Sequence, residues 1–280
     1  MCAGGTGCST MGKGIEKQEK AEEAVAAIRQ RWGTAAIGRP GSRLAEQVTA
    51  IPTGFAALDA ALGVGGIPRG RISELIGIPT SGMSTLALNI MAGAQAEGGA
   101  VVYFDVERTF DPGYARRCGV ELAHMVLVHP GDASEALAVL ADFVLSDAAD
   151  LLVLDWPPAL QADARLQRKL ISTLGRLLAP LNKNETTLLF LSTFWPQGAE
   201  RVPADEIETA LLHFAAVRLV LHKARWLYRH RDVQGYEARV TVVKNKLSRP
   251  GQSVEIAIMF DDRLSAAEDV DSEPLLVDEE

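Results

Sequence analysis

Hydrophobic residues form two alternating patterns along this chain from position 51 onward. Short segments rich in apolar residues predict strands, and these segments are residues 71–76, 100–104, 125–128, 151–154 and 187–192. Between them lie segments with three- to four-residue apolar spacing that predict helices, such as residues 85–97, 133–145 and 165–178. Strands that are apolar on both faces and alternate with helices are typical of a parallel sheet covered by helices. The pattern therefore predicts an α/β fold with a mainly parallel central sheet.

The last apolar runs follow one another without an intervening helical pattern. They lie at residues 217–221, 236–243 and 254–260, and they predict antiparallel strands at the C-terminal end of the sheet. Residues 265–280 are acidic and are expected to form a disordered tail. The predicted core therefore spans residues 51–264.

The N-terminal part of the chain has a different organisation. Residues 1–14 are small and glycine-rich, and we expect them to be disordered. In residues 15–32, Val25 and Ile28 recur at helical spacing before a Pro-Gly-Ser break interrupts the pattern. Residues 15–50 are thus predicted to form a helix-strand arm. The arm either folds back on its own domain or docks on a neighbouring subunit.

Composition narrows the class of protein. The chain has 280 residues, a net charge of −8 and a pI near 5.3, which excludes a general basic coat for nucleic acid but allows a local basic stripe. Its three cysteines, Cys2, Cys8 and Cys118, have no metal-ligand spacing and form no even disulfide set, which favours a reducing compartment. No apolar run reaches the roughly 18 residues of a membrane span, and the N-terminus lacks the apolar core of a signal peptide. We therefore expect a cytoplasmic protein without membrane contact.

The stretch "GIPTSGMST", residues 77–85, lies between a predicted strand and a predicted helix. In that context, its glycines and serine are typical of a phosphate-binding loop, whose pattern is G-x-x-x-x-G-K-S/T. Met83 stands where the pattern has lysine. A thioether cannot donate a hydrogen bond, and Pro79 removes one backbone N–H from the loop. The loop is either a nucleotide site that has lost its positively charged lysine or a structural turn.

A second element of a nucleotide site follows at the end of another predicted strand. Asp155 comes directly after the apolar run 151–154, a position from which a carboxylate can hold Mg²⁺ through water. A strand that ends in Asp is common by itself. In order with the glycine loop, it strengthens the nucleotide interpretation.

Four longer blocks resemble bacterial RecA recombinases. They are "IRQRWGTAAIGRPG", "IPTGFAALDAALGVGGIPRGRISELIG", "DVERTFDPGYARRCGV" and "ARVTVVKNKLSRP". The resemblance extends over about residues 15–262, so the chain is identified as a diverged member of the RecA family. It implies a RecA-type P-loop core that binds ATP and Mg²⁺. It further implies single-stranded DNA as a partner, a homo-oligomer or filament, and a role in DNA recombination, DNA repair and the SOS response.

The resemblance also implies roles for individual residues. Glu107 corresponds to the glutamate that activates the attacking water, and Thr193 to a longer glutamine that senses the γ-phosphate. Asp111 and Tyr114 correspond to the adenine contacts, and the lysines of "VKNK" to a pair that reaches the neighbouring subunit's nucleotide. The implied Mg²⁺ ligands are Ser84 and Asp155. The nucleotide-binding candidates are Gly77, Ile78, Pro79, Thr80, Ser81, Gly82, Met83, Ser84, Thr85, Asp111, Tyr114, Lys244 and Lys246.

Taken singly, these residues also fit structural roles. Glu107 and Asp111 fit solvated charges at a strand end, Tyr114 fits a core aromatic, and the "VKNK" lysines fit an exposed hairpin. Taken together and in family order, they favour a functional site.

The segments that would face DNA differ from the family pattern. The stretch "WPPALQADA" is compact, and "FWPQGAERVPADEIETALL" carries acids that weaken contacts with phosphates. A basic and aromatic run at residues 222–231 is an alternative DNA contact. Its candidates are Lys223, Arg225, Trp226, Arg229 and Arg231. The same run also fits an edge hairpin with a solvated basic side.

Two functions fit these residues. The first is a RecA-like recombination or repair protein that binds ATP weakly and binds single-stranded DNA, with reduced or lost ATP hydrolysis because position 83 is not lysine. The second is a non-catalytic RecA-like adaptor in the DNA-damage response, either a translesion polymerase accessory or a cell-division regulator. A true RecA or a repair polymerase is then the expected protein partner.

Overall fold

The computed structural model describes residues 20–31, 48–156, 163–193, 211–229 and 232–260. The chain divides into two compact units, residues 1–47 and 48–280. The predicted disordered segments 1–14 and 265–280 lie outside the described residues.

Helix α1, residues 20–31, is the part of the first unit that the structure describes. It lies inside the predicted helical segment 15–32. Its side chains are exposed apart from the half-buried Val25, and Ile28 is 39% exposed. The strand at the end of the predicted arm is Ala50–Ile51, which belongs to the second unit.

The second unit alternates strands and helices over most of its length. Its described strands are β1 Ala50–Ile51, β2 Ile67–Pro68, β3 Ile72–Gly77, β4 Val101–Asp105, β5 Met125–Val128, β6 Leu151–Trp156, β7 Thr187–Thr193, β8 Val217–Arg229, β9 Asp232–Asn245 and β10 Ser253–Met259. Its longer described α-helices are α2 Ala56–Leu62, α3 Met83–Ala96, α4 Pro112–Arg117, α5 Ala133–Ser146 and α6 Ala164–Asn184. A 3₁₀ turn, Leu122–His124, precedes β5, and residues 211–214 are helical before β8.

Eight strands form one sheet in the order β10-β9-β8-β3-β7-β6-β4-β5. The six strands from β8 to β5 run parallel, whereas β9 and β10 are antiparallel to their neighbours. Strands β1 and β2 form a separate antiparallel pair. The predicted α/β fold, with a mainly parallel sheet and antiparallel C-terminal strands, is confirmed.

Each face of the sheet carries its own hydrophobic core. On one face Leu75 packs in a cluster with Leu86 of α3, and on the other face Phe190 packs in a cluster with Leu170 of α6. Because successive strand residues point to opposite faces, the continuous apolar runs supply both cores. Val126 is 48% exposed because β5 is an edge strand, so the expectation of burial on both faces is wrong there.

Several elements are longer than the sequence predicts, and the extensions are largest in β8, β9 and α6. Strand β8 continues to Arg229 instead of ending at residue 221. Its pairing with β3 ends at Leu221, opposite Gly77, but its pairing with β9 continues to Arg229. The two strands therefore form a hairpin that projects past the carboxyl end of β3. Helix α6 continues across Pro180 instead of ending at residue 178. The proline removes one backbone hydrogen bond, but the next turn still buries Leu181 in the core.

Candidate nucleotide-binding site

The glycine loop connects the carboxyl end of β3 to the amino end of α3. Its backbone is left-handed at Thr80, with φ 65°, and at Gly82, with φ 93°. The N–H of Ser81 donates to the carbonyl of Ile78 at 3.1 Å, and the N–H of Leu86 donates to the carbonyl of Gly82 at 2.9 Å. The loop thus closes on itself before α3 begins, in the strand-loop-helix context of a phosphate-binding loop.

Both glycines of the loop stand where a side chain has no room. A Cβ on Gly77 would lie 2.2 Å from Ser81 Oγ, and a Cβ on Gly82 would lie 2.4 Å from Ile258 Cδ1. The same Cβ on Gly82 would lie 3.3 Å from the hydroxyl oxygen of Tyr236. Strands β9 and β10 therefore pack against the loop, which fixes its position relative to the sheet.

The hydroxyl of Ser81 indicates a loop suited to a polar ligand. Ser81 is 1% exposed, and none of the described residues supplies a hydrogen-bond partner for its Oγ. A buried hydroxyl without a partner costs free energy, and a phosphate oxygen is an acceptor that would satisfy it. The loop fits a phosphate group in its backbone geometry and in this hydroxyl.

Met83 does not fit a phosphate group. Its side chain is 9% exposed and belongs to the hydrophobic core on the α3 face. The next residue, Ser84, is exposed, and the hydroxyl of the buried Thr85 lies 2.6 Å from that of Tyr114. An anion at the first turn of α3 can therefore bind to backbone N–H groups and a hydroxyl. Position 83 supplies no positive charge.

Asp155 lies at the carboxyl end of the sheet beside Asp105, its register partner on β4. The hydroxyl of Tyr103 donates to Asp155 Oδ2 at 2.9 Å. Burial raises the pKa of Asp155, the hydrogen bond from Tyr103 lowers it, and the charges of Glu107 and Asp105 raise it. The net shift is upward. The structure therefore places this carboxylate near the loop's end of the sheet, where the sequence predicted a Mg²⁺ ligand.

Glu107 lies in the exposed turn that follows β4. Asp105 anchors this turn, because its carboxylate accepts the N–H of Thr109 at 2.8 Å and the N–H of Phe110 at 3.1 Å. The charge of Glu107 acts on Asp155, so the two acids lie at the same end of the sheet. This placement suits the predicted general base, a role that stays a prediction.

Asp111 caps helix α4. Its Oδ1 accepts the N–H of Gly113 at 2.8 Å and the N–H of Tyr114 at 3.0 Å. The ring of Tyr114 is half-buried, and the Arg117 guanidinium lies 5.3 Å from its centroid. The cap gives Asp111 a structural role, while contact of either residue with adenine stays a prediction.

Thr193 lies beside the glycine loop, because it is the register partner of Gly77 across β7 and β3. One residue earlier, Ser192 Oγ donates to the Glu74 carboxylate at 2.7 Å, and Arg218 also donates to that carboxylate. Glu74 and Arg218 are 2% and 7% exposed, so their ion pair is buried in the sheet. Thr193, the predicted γ-phosphate sensor, is therefore the last residue of β7. The residue before it, Ser192, is hydrogen-bonded to the buried Glu74–Arg218 ion pair.

Lys244 and Lys246 lie at the end of the sheet opposite the glycine loop. Lys244 is the register partner of Arg218, and its ammonium donates to the carbonyl of Leu212. The ammonium of Lys246 donates to the carbonyl of His213 at 2.9 Å. Burial lowers the pKa of Lys244, and the charge of Lys246 lowers it further. The structure therefore does not bring this pair to the loop of the same chain.

The hairpin of β8 and β9 carries the basic and aromatic run. Arg225 makes two hydrogen bonds to Glu237, at 2.7 and 2.8 Å. The Lys223 ammonium lies 3.9 Å from the ring centroid of Trp226. Arg229 is exposed. One predicted DNA contact is thus already paired with a carboxylate, and another lies on an aromatic ring.

One predicted DNA contact and most of the two altered loops lie outside the described residues. The contact is Arg231, and the loop residues are 157–162 and 194–210. The predicted contribution of these residues to DNA binding stays a prediction.

Tyr236 is the site residue that the sequence analysis missed. Its ring centroid lies 5.9 Å from that of Trp226 and 6.0 Å from that of Phe260. Burial raises the pKa of Tyr236 to about 12, and the neighbouring Tyr114 contributes to the rise. The aromatic cluster of Trp226, Tyr236 and Phe260 thus extends to the Tyr236 hydroxyl, which lies against Gly82.

Two negative findings apply to the part of the chain that the structure describes. No group of three or more His, Cys, Asp or Glu residues there is placed to hold a metal ion. None of the helices in those ranges combines the length and the apolar character needed to span a bilayer.

Comparison with known proteins decides the family. The sequence profile of the RecA N-terminal domain matches residues 19–265 of the chain. The chain belongs to the RecA family. Protein RecA of Streptomyces coelicolor is 36% identical over 267 residues, which cover 90% of this chain and 71% of that protein. Protein RecA of Gluconacetobacter polyoxogenes is 35% identical over 267 residues, which cover 90% and 77% of the two chains.

RecA-family membership confirms the resemblance carried by the four sequence blocks. The matched region includes the glycine loop, Glu107, Asp155 and the β8–β9 hairpin. The whole described site therefore lies within the RecA N-terminal domain match. Met83 departs from the phosphate-loop pattern inside that region.

Proposed function

We propose that this RecA-family protein acts in DNA recombination or repair and binds Mg-ATP weakly at residues 77–85. The observation that carries the proposal is the loop between β3 and α3, which encloses the Ser81 hydroxyl without a partner among the described residues. Backbone N–H groups at the start of α3 attract anions. Ser84 and Asp155 supply oxygen ligands of the kind that Mg²⁺ prefers. Bound ATP would supply a γ-phosphate for transfer to water.

Hydrolysis is proposed to be slow or lost. A P-loop lysine offsets charge on the β- and γ-phosphates, whereas the Met83 side chain is buried among apolar residues. Loss of one charged hydrogen bond costs about 1.5–3 kcal/mol, or roughly ten- to a hundredfold in affinity. Glu107 remains available as a general base, since it is exposed at the same end of the sheet as Asp155.

A homo-oligomer or filament on single-stranded DNA is part of the same proposal. Lys244 and Lys246 lie at the end of the sheet opposite their own loop. In a head-to-tail assembly, that end of one subunit faces the loop end of the next, so the pair would approach a neighbour's nucleotide.

A second candidate function is a non-catalytic RecA-like adaptor in the DNA-damage response. Two observations favour it: the uncharged, buried Met83 in the loop and the pairing of Arg225 with Glu237 on the hairpin. Its partner would be a true RecA or a repair polymerase.

The deciding experiment measures Mg-ATP binding by calorimetry and phosphate release with and without single-stranded DNA. DNA-stimulated turnover selects the enzyme, binding without turnover selects a nucleotide-dependent scaffold, and neither selects the adaptor. Gly82→Ala is the matched control, because a Cβ there would lie 2.4 Å from Ile258 and would distort the loop. Heat of binding that persists unchanged in this variant would place the nucleotide elsewhere.

A further inference from the structure

We propose that Lys223 of β8 supplies the ammonium that binds phosphate at the loop, in place of the lysine that position 83 lacks. The proposal rests on the nucleotide binding proposed above and names the residue that provides its positive charge. It also removes Lys223 from the set of predicted DNA contacts.

The register of the hairpin places Lys223 on the face that covers the loop. Lys223 is the register partner of Ala238, and Ala238 Cβ lies 3.6 Å from the position of a Cβ on Gly82. Glu237, the residue before Ala238 on β9, holds Arg225 on the opposite face. The two basic residues therefore have different surroundings, and Lys223 is the one on the loop side.

Lys223 lies within reach of an anion at the loop. Cβ atoms of antiparallel partners lie about 4.5–5.5 Å apart, which puts Lys223 Cβ within about 9 Å of the Gly82 position. The flexible four-carbon stem of lysine carries its ammonium about 5 Å from Cβ. A phosphate group seated against the loop fills the remaining distance.

The Lys223 ammonium lies beside two aromatic rings, one of which reaches the loop. It lies 3.9 Å from the ring centroid of Trp226 and 5.9 Å from that of Tyr236. The hydroxyl of Tyr236 is the atom that lies 3.3 Å from the Gly82 Cβ position. An exposed cation–π contact is weaker than a charge-assisted hydrogen bond to phosphate, so a bound phosphate would draw the ammonium from the ring.

Other features of the loop agree with a charge that comes from outside it. Ser81 Oγ is buried without a partner among the described residues, which points to a polar ligand. The Met83 side chain is buried in the core, and within the same chain the ammonium groups of Lys244 and Lys246 lie at the end of the sheet opposite the loop.

The first test compares Lys223→Gln with Lys183→Gln by calorimetry with Mg-ATP and with Mg-tripolyphosphate. Lys183 is a matched control because it lies in the last turn of α6. Loss of the charged hydrogen bond should weaken binding of both ligands about tenfold or more in Lys223→Gln and leave Lys183→Gln unchanged. Equal affinities in Lys223→Gln and the unaltered protein would overturn the proposal. An unaltered protein that binds neither ligand would overturn the proposed function as well.

The second test asks whether Lys223 and a lysine at position 83 replace one another. Lys223→Gln should cost much less affinity in a Met83→Lys background than alone, because the restored lysine supplies the same charge. Equal costs in both backgrounds would contradict the proposal.

Tryptophan fluorescence reports directly on whether the Lys223 ammonium leaves the Trp226 ring when phosphate binds. Trp226 emission should change on addition of Mg-tripolyphosphate but not of adenosine, since only phosphate removes the ammonium from its ring. The chain has four tryptophans, so Trp226→Phe identifies the source of the signal. The same change with adenosine, or its persistence in Trp226→Phe, would count against the proposal.

Discussion

The hydroxyl of Tyr114 lies 2.6 Å from the hydroxyl of Thr85, which joins the segment after β4 to the first turn of α3. The resemblance to RecA implies that the Tyr114 ring stacks on adenine, and the structure adds a second role for its hydroxyl. The ring and the hydroxyl can be separated experimentally. Thr85 also opposes the rise in the pKa of Tyr236, so both tyrosines interact with this residue.

Tyr114→Phe is expected to lower the free energy of unfolding by about 0.5–1.5 kcal/mol, because it removes one hydrogen bond to a buried hydroxyl. It should leave Mg-ATP affinity nearly unchanged, because the ring remains. Tyr114→Ala should in addition weaken Mg-ATP binding by about 0.5–1.5 kcal/mol through loss of the stacking surface. Urea unfolding and calorimetry measure the two effects. Equal nucleotide affinity in Phe and Ala variants would show that adenine does not contact this ring.

Met83→Lys is expected to tighten Mg-ATP binding roughly ten- to a hundredfold in a Lys223→Gln background, because it returns a charged donor to a loop shaped for phosphate. The gain should be smaller in the unaltered protein, where Lys223 supplies the same charge. Without nucleotide, the same variant should be less stable, since an ammonium replaces a thioether that is 9% exposed in the core. Met83→Gln is the matched control, as it has similar length and no charge. If the Lys and Gln variants bind equally in calorimetry, the loop does not present residue 83 to phosphate.

The order of strands and helices was predictable because buried parallel strands leave continuous apolar runs in the sequence. The extent of β8 was not, because residues 222–226 are exposed and interrupt the apolar pattern. They are held in the strand by pairing with β9, which is a tertiary contact that local sequence does not encode.

The glycine loop and its missing lysine were also predictable, because strand, loop and helix are local signals. The surroundings of Met83 and Tyr236 were not. Alternation along β9 puts Tyr236 on the same face as Ala238, but only the sheet order shows that this face covers Gly82. The register shift between Lys223 and Arg225 likewise decides which basic residue faces the loop.

Asp155→Asn is expected to raise the free energy of unfolding at neutral pH. Burial raises the pKa of Asp155 in the folded protein above the ordinary value of about 3.9 that holds for the unfolded chain. The folded state therefore binds more protons than the unfolded state between the two pKa values of this carboxyl. Its contribution to stability is fully present below about pH 3.9 and is lost as pH rises through the folded pKa. The stabilising effect of Asn should accordingly grow as pH rises above about 4, and it should level off once pH exceeds the raised pKa of the folded protein.

Urea unfolding of Asp155→Asn at several pH values measures this effect, with the exposed Asp142→Asn as the control carboxyl. Asn retains an acceptor for the Tyr103 hydroxyl, so the hydrogen bond is preserved. Parallel pH profiles for Asp155→Asn and the unaltered protein would show that this carboxyl does not bear the desolvation cost.

Ile28→Glu in α1 is expected to reduce the average particle mass in light scattering. Ile28 is 39% exposed within the single chain, and an exposed apolar residue on an amphipathic helix suits docking on a neighbouring subunit. Glu23→Gln, also on an exposed position of α1, is the control. The core should remain folded by circular dichroism. An unaltered protein that is monomeric at high concentration with and without DNA would refute the proposed assembly.

The last prediction concerns single-stranded DNA and the hairpin of β8 and β9. Arg225 is held by Glu237 through two hydrogen bonds, and the hydrogen bond is the main reason that the pKa of Glu237 is lowered. The carboxylate offsets the charge of Arg225 toward phosphate. Trp226 and Arg229 are exposed on the same strand, and Trp226 is 44% exposed.

Trp226→Ala is therefore expected to weaken binding of single-stranded DNA by about 1–3 kcal/mol, because a base loses its stacking partner. Arg229→Ala should weaken binding and reduce the slope of log affinity against log salt by about 0.7, since one phosphate contact is lost. Arg225→Ala is the internal comparison and should change the slope less, because Glu237 already neutralises that arginine. Fluorescence anisotropy with a labelled oligonucleotide over a salt series measures all three variants. Identical affinities and slopes throughout would show that the hairpin is a solvated surface and that any DNA lies elsewhere on the protein.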